Sequence, residues 1–106
     1  MDEQTFDQIG RLELADLEEK LDTIDPDDID LDTIDGVLTL TLRDGTRVVI
    51  NTHRAARQIW MAAVSSAWHF NPPSQEGSGW RTSNNEELRD VLIGVVRKRI
   101  GLELEL

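Results

Sequence analysis

Carboxylates are the residues in this sequence best suited to chemistry, and they are concentrated in one stretch. Residues 18–36 read EEKLDTIDPDDIDLDTIDG, with nine acids and the single base Lys20. Hard cations prefer carboxylate oxygen, and several carboxylates within reach lower the cost of removing water from any one of them. The stretch is therefore suited to weak cation binding at several sites, open to competition by calcium, magnesium or manganese. Composition alone nevertheless favours a merely solubilising surface.

Apolar residues are threaded through the same acidic stretch at regular spacing. The first set keeps a helical period and the second is expected to alternate as in a strand: Leu17, Leu21 and Ile24, then Ile29, Leu31 and Ile34. Both halves can bury one side and present carboxylates on the other. The pattern predicts an ordered acidic surface spanning the end of a helix and a first strand.

The remaining elements follow from periodicity and turn signals. An amphipathic first helix over residues 6–24 should end at Asp25-Pro26, because proline disfavours helical geometry in the preceding residue. Strands are expected at 28–34, 37–42, 47–51, 58–64 and 67–70, with Asp44-Gly45 forming a tight hairpin. A last helix should begin with a capping box at Ser83 and Glu86 and end at Gly101, before a short apolar tail that packs across the helices. We predict an α+β two-layer sandwich, with two helices covering one face of an antiparallel sheet.

Bulk properties narrow the class of protein. The 106 residues suit a single domain, 1–106, and the absence of cysteine excludes disulfides and thiolate-bound metals. Residues 1–35 hold fourteen acids and two bases, and the remainder is close to neutral. A net charge of −10 argues against binding nucleic acid or an anionic membrane. The acidic N-terminus lacks signal-peptide features and no apolar run could span a bilayer, so we expect a cytoplasmic protein.

Catalytic signatures are lacking, whereas one residue suggests an interface. Ser65 and its neighbours have no nucleophile-elbow glycines. His53 and His69 are too isolated for a metal triad and are left outside the predicted metal site. Alternation places Trp60 on the sheet face opposite Ile59, where it would be either an exposed interface anchor or a half-buried packing residue.

The order of motifs along the chain resembles the frataxin family, in particular the bacterial frataxins of the CyaY type. An acidic first helix leads into DIDLD, DGVLTLTLRDG, VVIN, QIWMA and WHF, ahead of a closing amphipathic helix. The most specific part is Ile50-Asn51, followed after six residues by Gln58-Ile59-Trp60. The resemblance covers roughly residues 5–101.

The resemblance implies a function and a set of residues. Frataxins are α+β sandwiches that bind ferrous and ferric iron weakly and regulate iron–sulfur cluster assembly by docking on the cysteine desulfurase and its scaffold protein. A monomer is implied, with iron-induced oligomers as a further property. The sheet surface that meets partners corresponds to Asn51, Gln58 and Trp60. The iron-binding surface, called the acidic ridge below, corresponds to Glu18, Glu19, Asp22, Asp25, Asp27, Asp28, Asp30 and Asp32.

Two other functions remain open at this point. A generic divalent-cation binder would bind calcium as well as iron and ignore the desulfurase. An acidic mimic of nucleic acid would bind a basic nucleic-acid enzyme instead. No enzyme activity is expected, and the sequence gives no independent support for the ferroxidase-like reaction attributed to some family members.

Overall fold

A computed structural model describes residues 1–74 and 79–106, so the predicted loop at 71–79 lies partly outside the described residues. The elements are α1 (Glu3–Leu21), β1 (Ile29–Ile34), β2 (Val37–Leu42), β3 (Arg47–His53), β4 (Gln58–Ala63), β5 (Ser66–Phe70) and α2 (Leu88–Ile100). The strands form one antiparallel sheet in the order β1-β2-β3-β4-β5. The predicted fold class is confirmed, because both helices pack on one face of this sheet.

The core lies between the helices and the sheet. Alternate residues of each central strand point into it, as the burial patterns of β2 and β4 show. Its largest fully buried side chains come from both layers: Phe6, Phe70, Leu17, Leu21, Ile29, Leu38, Leu40, Leu42, Ile50, Ile59, Met61 and Leu88. Within residues 1–74 and 79–106, no helix covers the opposite side of the sheet, which is called the open face below.

Helix α1 is fixed at its start by a cap and along its length by one apolar stripe. The Asp2 carboxylate accepts a hydrogen bond from the Thr5 backbone N–H at 2.7 Å, which satisfies one free donor of the first turn. The stripe includes Gly10, where an added Cβ would lie 3.2 Å from Thr52 Cγ2. Gly10 therefore allows α1 to approach β3 closely. The helix ends at Leu21, three residues before the predicted end.

Strand β1 corrects one expectation about the apolar pattern. Ile29 is buried and Leu31 is half-buried, whereas the side chain of Ile34 is 62% exposed. Ile34 follows Leu31 by three residues, and a strand repeats every two, so Ile34 belongs to the opposite face. The prediction that Ile34 shares a buried side with Ile29 and Leu31 was wrong.

The start of α2 also differs from the sequence expectation. The predicted Ser83–Glu86 capping box does not form; instead Glu87 is the N-cap, and its carboxylate accepts from the Asp90 backbone N–H at 2.9 Å. Bridges from Arg81 to Asn71 and to Glu87 keep the chain extended up to the helix, which explains the later start. Gly101 ends the helix in the left-handed conformation, with φ 68°, as predicted.

Arg89 joins α1, α2 and the C-terminal tail. Its guanidinium donates to both carboxylate oxygens of Glu13 (2.8 and 3.1 Å) and to the Leu106 carbonyl (3.0 Å), and it pairs with Asp16 at 2.7 Å. The hydrogen bond to Glu13 is the main reason that the pKa of Arg89 is raised. Leu104 in the tail is buried, so the tail packs on the core as expected.

No helix within residues 1–74 and 79–106 combines the length and apolar character needed to cross a bilayer.

Candidate acidic ridge and open sheet face

The three residues predicted to meet partners lie together on the open face. Asn51 of β3 stands directly opposite Trp60 of β4, and His53 stands opposite Gln58. Gln58 and Trp60 are two residues apart on one strand, so they point to the same side. The structure thus gathers Asn51, Gln58 and Trp60 into one patch at the β3–β4 pair.

Trp60 is half-buried, although it lies on the open face. Its indole Nε1–H donates to Gln58 Oε1 at 2.9 Å, and Gln58 Nε2 donates in turn to Asn71 Oδ1 at 3.0 Å. Of the two descriptions that the sequence left open, the half-buried one matches the structure, and the role of interface anchor stays a prediction. Trp60 faces outward, but its ring is enclosed by neighbours on the same surface.

Those neighbours are His53 and His69, which sequence reasoning had given no role. The His53 ring stacks on Trp60 with centroids 3.8 Å apart and planes 10° apart, and His69 stacks on the other side at 4.3 Å and 14°. His69 alternates with the buried Phe70, and this signal could have placed it outward. No sequence signal gave the stacking with Trp60. We call these rings the His53–Trp60–His69 stack.

The turn between β3 and β4 is held against the start of α1 by two arginines. Arg54 forms an ion pair with Asp7, and the Arg54 guanidinium holds the pKa of Asp7 below its ordinary value. Arg57 lies 3.6 Å from a carboxylate oxygen of Glu3 and donates to the Arg54 carbonyl at 3.0 Å. These contacts give both arginines a structural role that the family pattern did not supply, since they fix the turn between His53 and Gln58.

The acidic ridge begins at the C-terminal end of α1. Glu18 and Glu19 lie in its last turn and Asp22 is the C-cap, whose backbone N–H donates to the Glu18 carbonyl. Glu18 also lines a groove of about 600 Å³ between α1 and the β1–β2 turn, together with Thr33 and Asp35. The end of the helix is therefore close to β1.

The ridge continues through the loop before β1, where its acids are engaged unequally. Asp25 accepts a hydrogen bond from the Asp27 backbone N–H at 2.9 Å, which shapes the turn. Asp28 forms an ion pair with Arg43, which also donates to the Ile100 carbonyl at 2.9 Å. The negative charge of Asp28 is thus compensated by Arg43, and Asp28 is less available for cations than its neighbours.

The last two ridge acids lie on the open face. Asp30 stands opposite Thr41 and Asp32 opposite Thr39, and both aspartates are exposed. Because β1 is the first strand of the sheet, the ridge curves around this edge, from the end of α1 to the open face. The acids do not share one flat surface; they form a border that follows the chain from the end of α1 to the open face.

The carboxylate oxygens along this border suit hard cations, but they are spread over separate elements of the fold. Among residues 1–74 and 79–106, no three His, Asp or Glu side chains lie close enough to form a metal site. Exposed carboxylates on separate elements could each offer one or two oxygens to a hydrated ion. The predicted metal ligands remain a prediction.

Fold and site together define a small α+β sandwich with an acidic border and an aromatic patch on its uncovered sheet. The family described as the frataxin-like domain matches residues 1–102. The protein named "Iron-sulfur cluster assembly protein CyaY" of Pseudomonas fluorescens (strain Pf0-1) is 35% identical over 92 residues, covering 83% of each chain. Its namesake in Ectopseudomonas mendocina (strain ymp) is 33% identical over 78 residues, covering 74% of this chain and 71% of its own.

A solved structure supports the same fold. Frataxin from Psychromonas ingrahamii superposes with a TM-score of 0.85 at 23% identity, covering 99% of this chain and 97% of its own. The chain belongs to the frataxin family, and the relatives above are bacterial proteins of the CyaY type.

Proposed function

We propose that this protein acts in iron–sulfur cluster assembly, as a cytoplasmic monomer that binds iron weakly and docks on the cysteine desulfurase and its scaffold protein. The names of the CyaY relatives support the pathway. The observation that carries the docking role is the continuity of the acidic ridge with the open face around the β1 edge. One partner could then touch the acids and Trp60 together.

The acidic ridge is suited to steering a basic partner. Glu19, Asp22, Asp30 and Asp32 are exposed and form no ion pair with any residue in 1–74 or 79–106. Unpaired charges on one border speed the encounter with a surface of opposite sign, and salt weakens this attraction. A basic surface on the desulfurase is the partner that this charge fits.

The patch around Trp60 is suited to anchoring the docked complex. Aromatic side chains in the centre of an interface contribute more binding free energy than charges at its rim. Trp60 has polar neighbours on the same face, Asn51 and Gln58, whose amides can re-form hydrogen bonds with a partner. In this proposal the ridge sets the association rate and the Trp60 patch sets the dissociation rate.

Iron is the cargo in this proposal, and the protein performs no catalytic step on it. Exposed carboxylates prefer hard ions, including ferric iron, and hold them without a closed cage. Binding should therefore be weak, involve several ions and be open to competition from calcium, magnesium and manganese.

Charge reversal tests the docking role. In a triple variant with Asp22→Lys, Asp25→Lys and Asp30→Lys, affinity for the purified desulfurase should fall at least about tenfold, mainly through slower association. Glu105→Lys, an exposed acid in the tail, is the matched control and should bind like the wild type. Equal affinity of the triple variant and the wild type would contradict docking through the ridge.

A titration followed by amide-resolved NMR tests the iron role. Ferrous iron added without oxygen should perturb backbone signals from residues 18–32 and leave the β3–β4 pair unchanged. Calcium at higher concentration should displace it from the same residues. A protein that binds calcium as tightly as iron and ignores the desulfurase would instead be a generic cation binder.

A further inference from the structure

We propose that His53 and His69 are positioning residues, which hold the Trp60 indole in a fixed orientation for docking of the desulfurase–scaffold complex. The inference rests on the proposed function, because it assigns to the two histidines the task of preparing its anchor. Neither histidine needs to touch the partner in this role.

The sheet register brings the three rings together from three strands. His69 of β5 stands directly opposite Trp60, and His53 of β3 is its diagonal neighbour. Diagonal neighbours across antiparallel strands are within reach of aromatic side chains. Both faces of the indole are consequently covered, by rings nearly parallel to it.

Covering both faces changes what Trp60 can offer a partner. Its π-faces are occupied, so it cannot accept a stacked ring or a cation there. The accessible part is the outer edge of the indole. The stack therefore presents the edge of the indole on the open face, and not a flat aromatic surface.

Hydrogen bonds further restrict the side chains of the stack. The indole N–H is bound to Gln58, and Gln58 is itself held by Asn71. On the other side, His53 Nδ1 accepts from the Ala56 backbone N–H at 3.4 Å, which links the first imidazole to the β3–β4 turn. Arg54 and Arg57 anchor that turn on α1.

Such restraint raises affinity by lowering the entropy lost on binding. A free side chain on a sheet surface visits several rotamers, and immobilising it at an interface weakens binding by roughly threefold to tenfold. In this protein the loss has already occurred in the unbound state. Removing one imidazole should return part of that freedom to Trp60.

Binding measurements with the purified desulfurase–scaffold complex test the inference. His53→Ala and His69→Ala should each weaken binding by about threefold to tenfold. His69→Phe restores a flat ring and should bind within about twofold of the wild type. Glu105→Ala, exposed in the C-terminal tail and away from the open face, is the control and should bind like the wild type.

Trp60→Ala separates this inference from the proposed function. If Trp60→Ala loses affinity while both histidine-to-alanine variants bind like the wild type, the positioning role is overturned and docking through the open face stands. If Trp60→Ala binds like the wild type, docking through this patch fails, and the positioning role fails with it.

NMR of the unbound protein measures the motion of Trp60 itself. This motion would not change if the histidines acted only by touching the partner. The Trp60 ring signals should report a rigid indole in the wild type and increased motion in the double variant His53→Ala/His69→Ala. The Trp80 indole, buried in the core, reports that the fold is intact. Weaker binding with an equally rigid Trp60 would mean that the histidines touch the partner, and would overturn the positioning role.

Discussion

The two helices carry opposite charge at the same end. In α2 the acids Glu87 and Asp90 lie at the start, and Arg97, Lys98 and Arg99 lie in the last turn, which matches the helix dipole. Helix α1 also begins with acids, but the acidic ridge starts in its last turn and C-cap, where the dipole favours cations. Only Lys20 there has the favourable sign, and it pairs with Asp16 at 3.0 Å.

The two helices also differ in whether the charges at their C-terminal ends form ion pairs. At the end of α2, Arg97 pairs with Glu103 and Arg99 with Asp44. At the end of α1, Glu19 and Asp22 stay without an ion pair among the residues that the structure describes. A local arrangement that opposes stability is typical of functional sites. The difference between the helices therefore supports a binding role for the ridge, because folding alone would favour other residues.

The largest effect that we predict comes from the link between the two helices. Arg89→Met leaves Glu13 and Asp16 without their shared cation, in a site where the Arg89 side chain is only 18% exposed. The free energy of unfolding should fall by about 2 kcal/mol. Urea denaturation followed by circular dichroism measures this change.

The control for Arg89→Met also removes the Glu13 carboxylate, which this variant leaves without its cation. In the double variant Arg89→Met/Glu13→Met, most of the lost stability should return, because no buried carboxylate is left alone at this point. A double variant as unstable as Arg89→Met would mean that packing of the arginine stem, and not the ion pair, links the helices.

Charge reversal at the helix ends tests the comparison directly and has a smaller effect. Glu19→Lys and Asp22→Lys should each stabilise the protein by about 0.5 kcal/mol, because they place cations at the end of α1. Lys98→Glu at the end of α2 should destabilise it by a similar amount. Thermal unfolding at low ionic strength measures both, and added salt should shrink them.

Destabilisation by Glu19→Lys or Asp22→Lys would contradict the view that the ridge opposes stability. It would mean that these carboxylates make favourable contacts in the fold.

The pH dependence of stability should reflect the paired acids. Hydrogen bonds from Thr46, with a smaller contribution from Arg99, hold the pKa of Asp44 below its ordinary value of 3.8. A lowered folded-state pKa gives stability that is fully present above the unfolded value and is lost as the pH falls through the folded value. Asp44→Asn should therefore be less stable than the wild type at pH 7, and the difference should shrink as the pH falls below the ordinary pKa of 3.8. Urea midpoints across this range measure it.

The smallest effect is expected at Ile34. Its side chain is largely exposed on the open face, so Ile34→Thr should change the free energy of unfolding by less than about 0.5 kcal/mol. Ile29→Thr at the buried end of the same strand is the matched comparison and should cost several times more. Equal effects would mean that Ile34 packs as the sequence pattern first suggested.

The parts of the fold that sequence predicts well depend on local chemistry. Alternation in β2 and β4, the Asp44-Gly45 turn and the Gly101 cap each involve residues close along the chain. Their physical causes, strand period and the conformational freedom of glycine, need no knowledge of distant partners. The frataxin resemblance then supplied the overall arrangement.

The parts that could not be predicted depend on contacts between distant residues. The His53–Trp60–His69 stack needs the register of three strands, which no local pattern sets. The late start of α2 follows from the bridge between Arg81 and Asn71. The position of the acidic ridge follows from local composition, but only the structure separates the ion-paired Asp28 from Asp30, which forms no ion pair within residues 1–74 and 79–106.

The position of β1 has a consequence for self-association. Among the residues that the structure describes, β2 is the only strand that pairs with β1, so the other side of β1 offers backbone donors and acceptors to the edge of a second molecule. Charged side chains on such a strand discourage sheets from growing between copies, because like charges would meet across the new pairing. We therefore expect Asp30 and Asp32 to discourage edge-to-edge pairing of copies, and added salt to weaken that effect.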